Sequence, residues 1–340
     1  MKNFKVLKSD QKEWSEILSR SSFYDFYHTK SYNVLENDGE SLLFVASIEN
    51  NFIAYPLVLR EIPNSNYFDC TSVYGYCGPI SNLQYFEISD TLKLYFKDSL
   101  MKYFEQNNIV SCFSRLHPVF ENENILDNFG KTIKLNKTIA INLTIPLEEQ
   151  RRKYRKSNKY EINKLKKENY VVEMAKTPQE IDAFVDVYTE TMKRVNATEN
   201  YFFDKDYFHF FLNNPCFDSK LLLAKKEGEV IAGAIFTITN KIMQYHLAGT
   251  KYEHIRKTPM KLILDEARLL GNKLNLDYLH LGGGVGGSDD DSLFKFKSGF
   301  SDEKFTFSIW QLIVNQELYN KLINDNNINK KSSFFPLYRA

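Results

Sequence analysis

The chain has 340 residues, 43% of them hydrophobic and 26% charged, with 27 Phe and 21 Tyr; that is enough for two lobes of about 150 residues, each with a large apolar core. A net charge of +1 excludes a global field for polyanions, and four cysteines without a CxxC pair exclude a disulfide framework or a thiolate zinc site. The opening MKNFKVLKSDQKEW lacks the apolar stretch of a signal peptide, and no apolar run of about 18 residues follows, so a cytoplasmic chain without a membrane span is expected.

Residues 11–20 (QKEWSEILSR) read as a helix. Residues 42–55 (LLFVASIENNFIAY) read as a hairpin, with polar residues between two β-rich runs. A strand at 67–73, the turn YGYCGP at 74–79, a helix at 88–106 and a strand at 109–116 follow. The segment 151–170 (RRKYRKSNKYEINKLKKENY) carries nine basic residues and is predicted as one helix opening the second half. Its face is either solvated or turned to the phosphates of a nucleotide or a tRNA.

Thr177 and Pro178 suit the N-cap and first turn of a helix over 177–195, and a second helix spans 204–214. Residues 221–233 (LLLAKKEGEVIAG) form another hairpin, whose turn reads as one residue shorter than the first. A strand at 241–249, a helix at 259–274 and strands at 276–283 and 305–314 complete the series. The tail is polar and then aromatic, and is expected to pack back on the first lobe or to fray.

Two Leu-Leu…Ile-Ala hairpins, each followed by strand, helix and strand, point to duplication of a whole lobe. The fold class expected is α/β (α+β), with tandem lobes that each carry a mixed twisted sheet flanked by helices. The boundaries expected are 1–145, 146–316 and a tail at 317–340.

Residues 280–287 (HLGGGVGG) hold Gly282, Gly283, Gly284, Gly286 and Gly287, five of the chain's 14 glycines, directly after a strand. Glycine lets a ligand approach the backbone, and a chain turning from a strand into a helix presents N–H donors to anions. The following SDDDSLFKFKSGF offers Asp289, Asp290 and Asp291 as helix caps or as partners of a substrate amine. In the same run Lys295 and Lys297 alternate with Phe294, Phe296 and Phe300, so one lysine can be held partly buried, where it would polarise a carbonyl or bind phosphate. Tyr74 and Tyr76 in the aromatic turn, and Arg115 and His117 at the strand end SRLHP, are candidate lining residues. His246 in QYHLAGT is a candidate proton acceptor. No GxSxG elbow and no HExxH occurs, so a hydrolase reading has no motif.

Taken together, YGYCGP, SRLHP, YHLAGT with TPMKLILDEA, and HLGGGVGG with SLFKFKSGF resemble the Fem-type, two-lobed members of the GNAT superfamily, over roughly residues 1–320. The resemblance implies two GNAT-like lobes with the substrate in the cleft between them. It implies acyl or aminoacyl transfer from a thioester or an aminoacyl-tRNA to an amine, with no metal and no tightly bound cofactor. It places the family's Phe-Lys step on Phe296 and Lys297, with Lys297 stabilising the donor's charge. Acceptor binding falls near Tyr74, Tyr76 and Arg115. Asp290, Asp291, His246 and solvent stay open as the base.

Two departures stand out. The long coiled-coil arm of some Fem enzymes is absent. So is the glycine-rich pyrophosphate loop of acetyl-CoA-binding relatives; HIRKTPMKL stands there, leaving Lys257 and Thr258 as donor-phosphate candidates. The function expected is transfer from acyl-CoA to an amine of a nucleotide- or lipid-linked amino sugar in cell-envelope polysaccharide synthesis. The alternatives are an aminoacyl-tRNA-dependent transferase acting on a peptidoglycan precursor, and a non-catalytic GNAT-like binding module. Partners are accordingly a nucleotide- or lipid-linked sugar or peptide, with tRNA and a membrane surface as further candidates.

Overall fold

The structure, a computed structural model, describes residues 1–35, 39–284, 291–325, 332 and 334–340. It comprises two compact units, Met1–Asn136 with Thr306–Ala340, and Lys137–Phe305. Among the described residues no helix is long and apolar enough to cross a membrane.

The first unit opens with strand β1 (Lys2–Lys8) and helices α1 (Glu13–Arg20) and α2 (Lys30–Leu35). Strands β2 (Glu40–Ile48), β3 (Asn51–Glu61), β4 (Phe68–Thr71) and the short β5 (Ile80–Ser81) precede helix α3 (Asp90–Gln106) and strand β6 (Ile109–Arg115). Leu92, Phe96, Leu100 and Phe104 of α3 recur every four residues and are buried, the stripe that seats a helix on a sheet. Phe104 meets Phe44 of β2 edge-on at 5.8 Å. Ser89 caps the helix, its hydroxyl accepting from Leu92 N.

Strand β7 (Lys131–Asn142) leads into the second unit. There follow α4 (Leu147–Arg152), α5 (Lys156–Lys167), β8 (Val171–Met174), α6 (Pro178–Arg194), α7 (Lys205–Leu212), β9 (Asp218–Lys226), β10 (Glu229–Thr239), β11 (Ile242–Thr250), α8 (Met260–Lys273), β12 (Tyr278–Gly282) and α9 (Ser292–Lys297). Strand β13 (Lys304–Ile313) returns the chain to the first unit, which ends in α10 (Gln316–Asp325) and the C-terminal residues.

The same strand pattern occurs twice. The order β1-β2-β3-β4-β6-β13 in the first unit matches β8-β9-β10-β11-β12-β7 in the second. Each has one parallel pair, β4 with β6 and β11 with β12, joined by a crossover helix, α3 or α8. The sixth strand comes in each case from the other half of the sequence: β13 pairs with β6, and β7 with β12. Both Leu-Leu…Ile-Ala hairpins close through two-residue turns, Glu49–Asn50 and Glu227–Gly228. The missing residue of the second hairpin is therefore in its first strand and not in its turn.

Several features depart from the sequence reading. Strands β1 and β7 were not expected, because their exposed lysines mask the apolar residues between them. Helix α10 lies where only a tail was foreseen, and Tyr319, Leu322 and Ile323 bury one side of it against Ile62, Val110 and Tyr338. The basic segment 151–170 is two helices rather than one. Its break is held by Arg155, whose N–H donates to Gly299 O at 2.9 Å and whose guanidinium reaches Lys295 O and Ser298 Oγ. Cys70, Cys77 and Cys112 are buried thiols and Cys216 is partly exposed.

Candidate active site

In the second unit the parallel pairing of β11 with β12 runs from Ile242–Tyr278 to Gln244–His280 and ends there. Strand β11 continues alongside β10, but its register slips: Ile235 faces Leu247 and Phe236 faces Tyr245, so His246 is the extra residue of a bulge. Strand β12 stops at Gly282, whose φ of 74° suits glycine. The two strands thus separate where Tyr245 and Gly283 follow their last shared rung.

Lys297 occupies this place. It sits in the last turn of α9, and its Nζ donates to Gly283 O at 2.6 Å. The same ammonium lies 5.6 Å from the centre of the Tyr245 ring. Burial lowers the Lys297 pKa to about 7, against an opposing pull from the Asp291 carboxylate. Burial also pushes the Tyr245 phenol up, so that it stays protonated. A lysine that gains and loses its proton near neutrality, where two strands part, can donate to an anion that forms on a substrate.

Asp291 caps α9, accepting from Phe294 N at 2.8 Å. Its carboxylate packs where a Cβ on Gly284 would stand. A Cβ on Gly283 would come within 3.3 Å of Lys137 O. Gly283, Gly284, Asp291 and Lys297 are therefore brought together. Phe296 is partly buried, with its ring 5.6 Å from Phe300. Asp290, Gly286 and Gly287, with Asp289, lie outside the described residues.

His246 points elsewhere. Its ring lies parallel to that of Phe211 of α7 at 5.0 Å, and burial lowers its pKa to about 3. Such an imidazole is a weak proton acceptor at neutral pH. Lys257 and Thr258 adjoin the start of α8, but carboxylates already occupy them. Lys257 pairs with Glu168 at 2.9 Å, Thr258 Oγ1 donates to Glu161 Oε2 at 2.9 Å, and Lys261 pairs with that same Glu161. The anion site expected at this helix start is filled by the protein's own acids.

In the first unit the guanidinium of Arg115 lies 5.7 Å from the Tyr74 ring centre and 5.3 Å from that of Phe113. Tyr74 is 48% exposed. Tyr76 packs edge-on against Phe307 at 5.4 Å and Tyr27 at 5.9 Å. His117 is buried: its Nε2 donates to Asp25 Oδ2 at 3.1 Å, its Nδ1 accepts from Val119 N, and its ring stacks on Phe120 at 3.7 Å. Burial lowers its pKa to about 3. That position serves packing. Tyr74 with Arg115 forms the accessible pair, an aromatic face backed by a cation.

Sequence reasoning missed Tyr245, Gln244, His280, Thr138 and Asp25. The alternation of LHLG on β12 could have singled out His280, since Leu279 and Leu281 face the apolar core and His280 turns the other way. Nothing local could have linked it to Thr138, 142 residues away in the chain.

Residues 152–295, all within the second unit, match the family model of the acetyltransferase (GNAT) domain. The crystal structure of FemX aligns with a TM-score of 0.72 at 12% identity, over 94% of this chain and 99% of that one. L-PGS from Bacillus licheniformis aligns at 0.60 and 15% identity, over 93% and 96%. The C-terminal domain of a putative lysylphosphatidylglycerol synthetase from Agrobacterium fabrum aligns at 0.57 and 13%, over 93% and 95%. No curated protein sequence matches the chain. These identities speak for the fold, and the domain match speaks for the chemistry: the chain is an acyltransferase with the fold of FemX, and residues 152–295 within its second unit are what resemble the GNAT acetyltransferase domain.

Proposed function

We propose that this acyltransferase moves an aminoacyl group from an ester-linked donor, an aminoacyl-tRNA, to an amine of a cell-envelope precursor. The observation that carries the transfer step is Lys297 at the parting of β11 and β12, buried, with its ammonium on Gly283 O. The acceptor amine attacks the donor carbonyl, and the new C–N bond forms as the C–O bond to the carrier breaks. The amine gives up one proton and the departing hydroxyl takes one up. Lys297, protonated, donates to the oxyanion in between.

Two observations favour an RNA-borne donor over a CoA thioester. Glu161 and Glu168 occupy the cations at the start of α8, which leaves that helix end poorly disposed to a pyrophosphate. On α5, Lys156, Lys159, Lys164 and Lys167 share a face with Tyr160, which is 67% exposed. Lysines around an exposed ring suit a phosphate backbone and a stacked base. The acyl-CoA reading, with an amino sugar as acceptor, keeps one argument in its favour, the acetyltransferase domain match itself.

The test is transfer by the purified chain from acetyl-CoA and from aminoacyl-tRNA, each offered with nucleotide-linked peptide and amino-sugar acceptors. Product from aminoacyl-tRNA alone supports the proposal. Product from acetyl-CoA alone overturns its donor and establishes the other reading. Lys297→Ala is expected to lower kcat by roughly 10²–10³, the usual cost of losing one oxyanion donor. Full turnover by the folded variant would remove Lys297 from the chemistry.

A further inference from the structure

At the last rung shared by β11 and β12, three polar side chains form a row across three strands. His280 of β12 lies between Gln244 of β11 and Thr138 of β7. Its Nδ1 is 2.6 Å from Gln244 Oε1 and its Nε2 is 2.9 Å from Thr138 Oγ1. The three are 0%, 2% and 1% exposed. Gln244 Nε2 donates to Tyr245 O at 3.3 Å, which turns Oε1 towards the imidazole. An amide oxygen only accepts, so the ring hydrogen is on Nδ1. The neutral ring then accepts the Thr138 hydroxyl at Nε2.

Buried polar rows cost desolvation that an apolar trio would avoid, and their return is a fixed geometry. Here that geometry is placed where the backbone stops supplying it. The ladder holds β11 to β12 only as far as Gln244–His280. One residue on, Tyr245 carries the ring beneath Lys297, and three residues beyond His280 the Gly283 carbonyl receives Nζ.

We propose that His280 is a positioning residue for acyl transfer: by bonding Gln244 and Thr138 at once it fixes the gap at which β11 and β12 part, and with it the spacing of Tyr245 and Gly283 about the Lys297 ammonium. The inference rests on reading Lys297 as the group that meets the oxyanion. With the row broken, the strands shift, water reaches the ammonium, and the burial that depresses its pKa is relieved. The charged group acting on Lys297 among the described residues is Asp291, which such variants leave in place.

The experiment follows the Lys297 Cε resonance through pH in chain labelled with carbon-13 lysine, assigned by Lys297→Arg. The wild-type midpoint is expected near 7. In His280→Leu it is expected to rise by about one pH unit or more as desolvation is relieved. His280→Gln, whose amide can both donate to Gln244 and accept from Thr138, is expected to restore it. Thr138→Val removes one bond only and gives a smaller shift in the same direction, which keeps the test open should His280→Leu not fold. A folded His280→Leu or Thr138→Val in which Lys297 titrates as in wild type overturns the proposal, and so does a His280→Gln that restores nothing. Transfer measured in parallel is expected to lose roughly tenfold in kcat at unchanged acceptor KM, because only the transition-state contact is displaced. Absence of transfer by wild type from any donor would overturn the acyl-transfer reading of the site, while the titration still decides whether His280 sets the surroundings of Lys297.

Discussion

The ammonium of Lys297 donates to the carbonyl of Gly283 across 2.6 Å, in a place from which most water is excluded. The bond joins the last turn of α9 to the residue that follows β12, so helix and strand end are tied through one titratable group. Burial holds that group near pH 7, well below the 10.5 of an ordinary lysine.

A pH dependence of stability follows. Between about 7 and 10.5 the unfolded chain keeps a proton on Lys297 that the folded chain has lost. The unfolded state then binds more protons, so stability rises with pH through this window, by at most about 1.4 kcal/mol per pH unit from this one group. Below pH 7 both states are protonated and the full cost of burying the charge is felt. Lys297→Met is therefore expected to raise the melting temperature more at pH 6 than at pH 9. Equal shifts at the two values would place the lysine in water.

Activity should run the other way. If Lys297 meets the oxyanion as an ammonium, kcat falls as pH rises through about 7. A kcat that rises through the same range would make the lysine a base. Asp291→Asn separates charge from capping. The amide still accepts from Phe294 N, but its charge no longer raises the lysine pKa, so the fall in kcat is expected at lower pH with the melting temperature little changed.

Gly284→Ala tests the close approach of Gly284 to the cap of α9. The new methyl would collide with the Asp291 carboxylate. Either the cap leaves its place or Gly284 moves away from it, and both disturb the start of the helix that carries Lys297. Loss of the cap alone costs about 1 kcal/mol. A melting temperature a few degrees lower, with transfer reduced well beyond what that loss explains, is the expected result. An alanine variant with wild-type stability and rate would show that the contact of Gly284 with Asp291 does not position the lysine.

Much of this was readable in the chain and some of it was not. The doubled order of hairpin, strand, helix and strand came from two short runs, LLFVASIENNFIAY and LLLAKKEGEVIAG, because local β and turn chemistry is written in local residues. The alternating Phe and Lys beside a Gly-Phe step drew attention to Lys295 and Lys297 alike, and the resemblance to the Fem pattern chose Lys297 between them. The exchange of sixth strands was not readable: β7 and β13 pair with partners remote in sequence, and no local signal records a long-range pairing. The bulge at His246 was hidden for a related reason, since a one-residue slip shows only against the neighbouring strand. That Glu161 and Glu168 would pair with Lys257 and Thr258 was not readable either, since these acids lie on and beside α5 and meet the start of α8 only in the folded chain.

The C-terminal residues offer a stability test remote from this chemistry. Asp69 of β4 is fully buried, and three groups converge on it: Arg60 at 2.9 Å, Arg339 at 2.5 Å and the Tyr338 hydroxyl at 3.2 Å. Tyr338 is also bonded to Ser111 Oγ at 2.7 Å. Removing residues 336–340 would leave this carboxylate with one cation and an open face. Breaking a buried pair in this way typically costs about 3–5 kcal/mol. Asp69→Asn in the truncated chain should recover part of that loss, because the amide carries no charge to strand. The expected order of melting temperatures is therefore full-length wild type, then the truncated Asp69→Asn chain, then the truncated wild type. If truncation alone leaves the melting temperature unchanged, Arg60 suffices for Asp69 and the tail contributes nothing to the first unit's stability. If Asp69→Asn in the truncated chain recovers nothing, the loss lies in the apolar contacts of Tyr338 and Leu337 with α10 and not in the stranded charge.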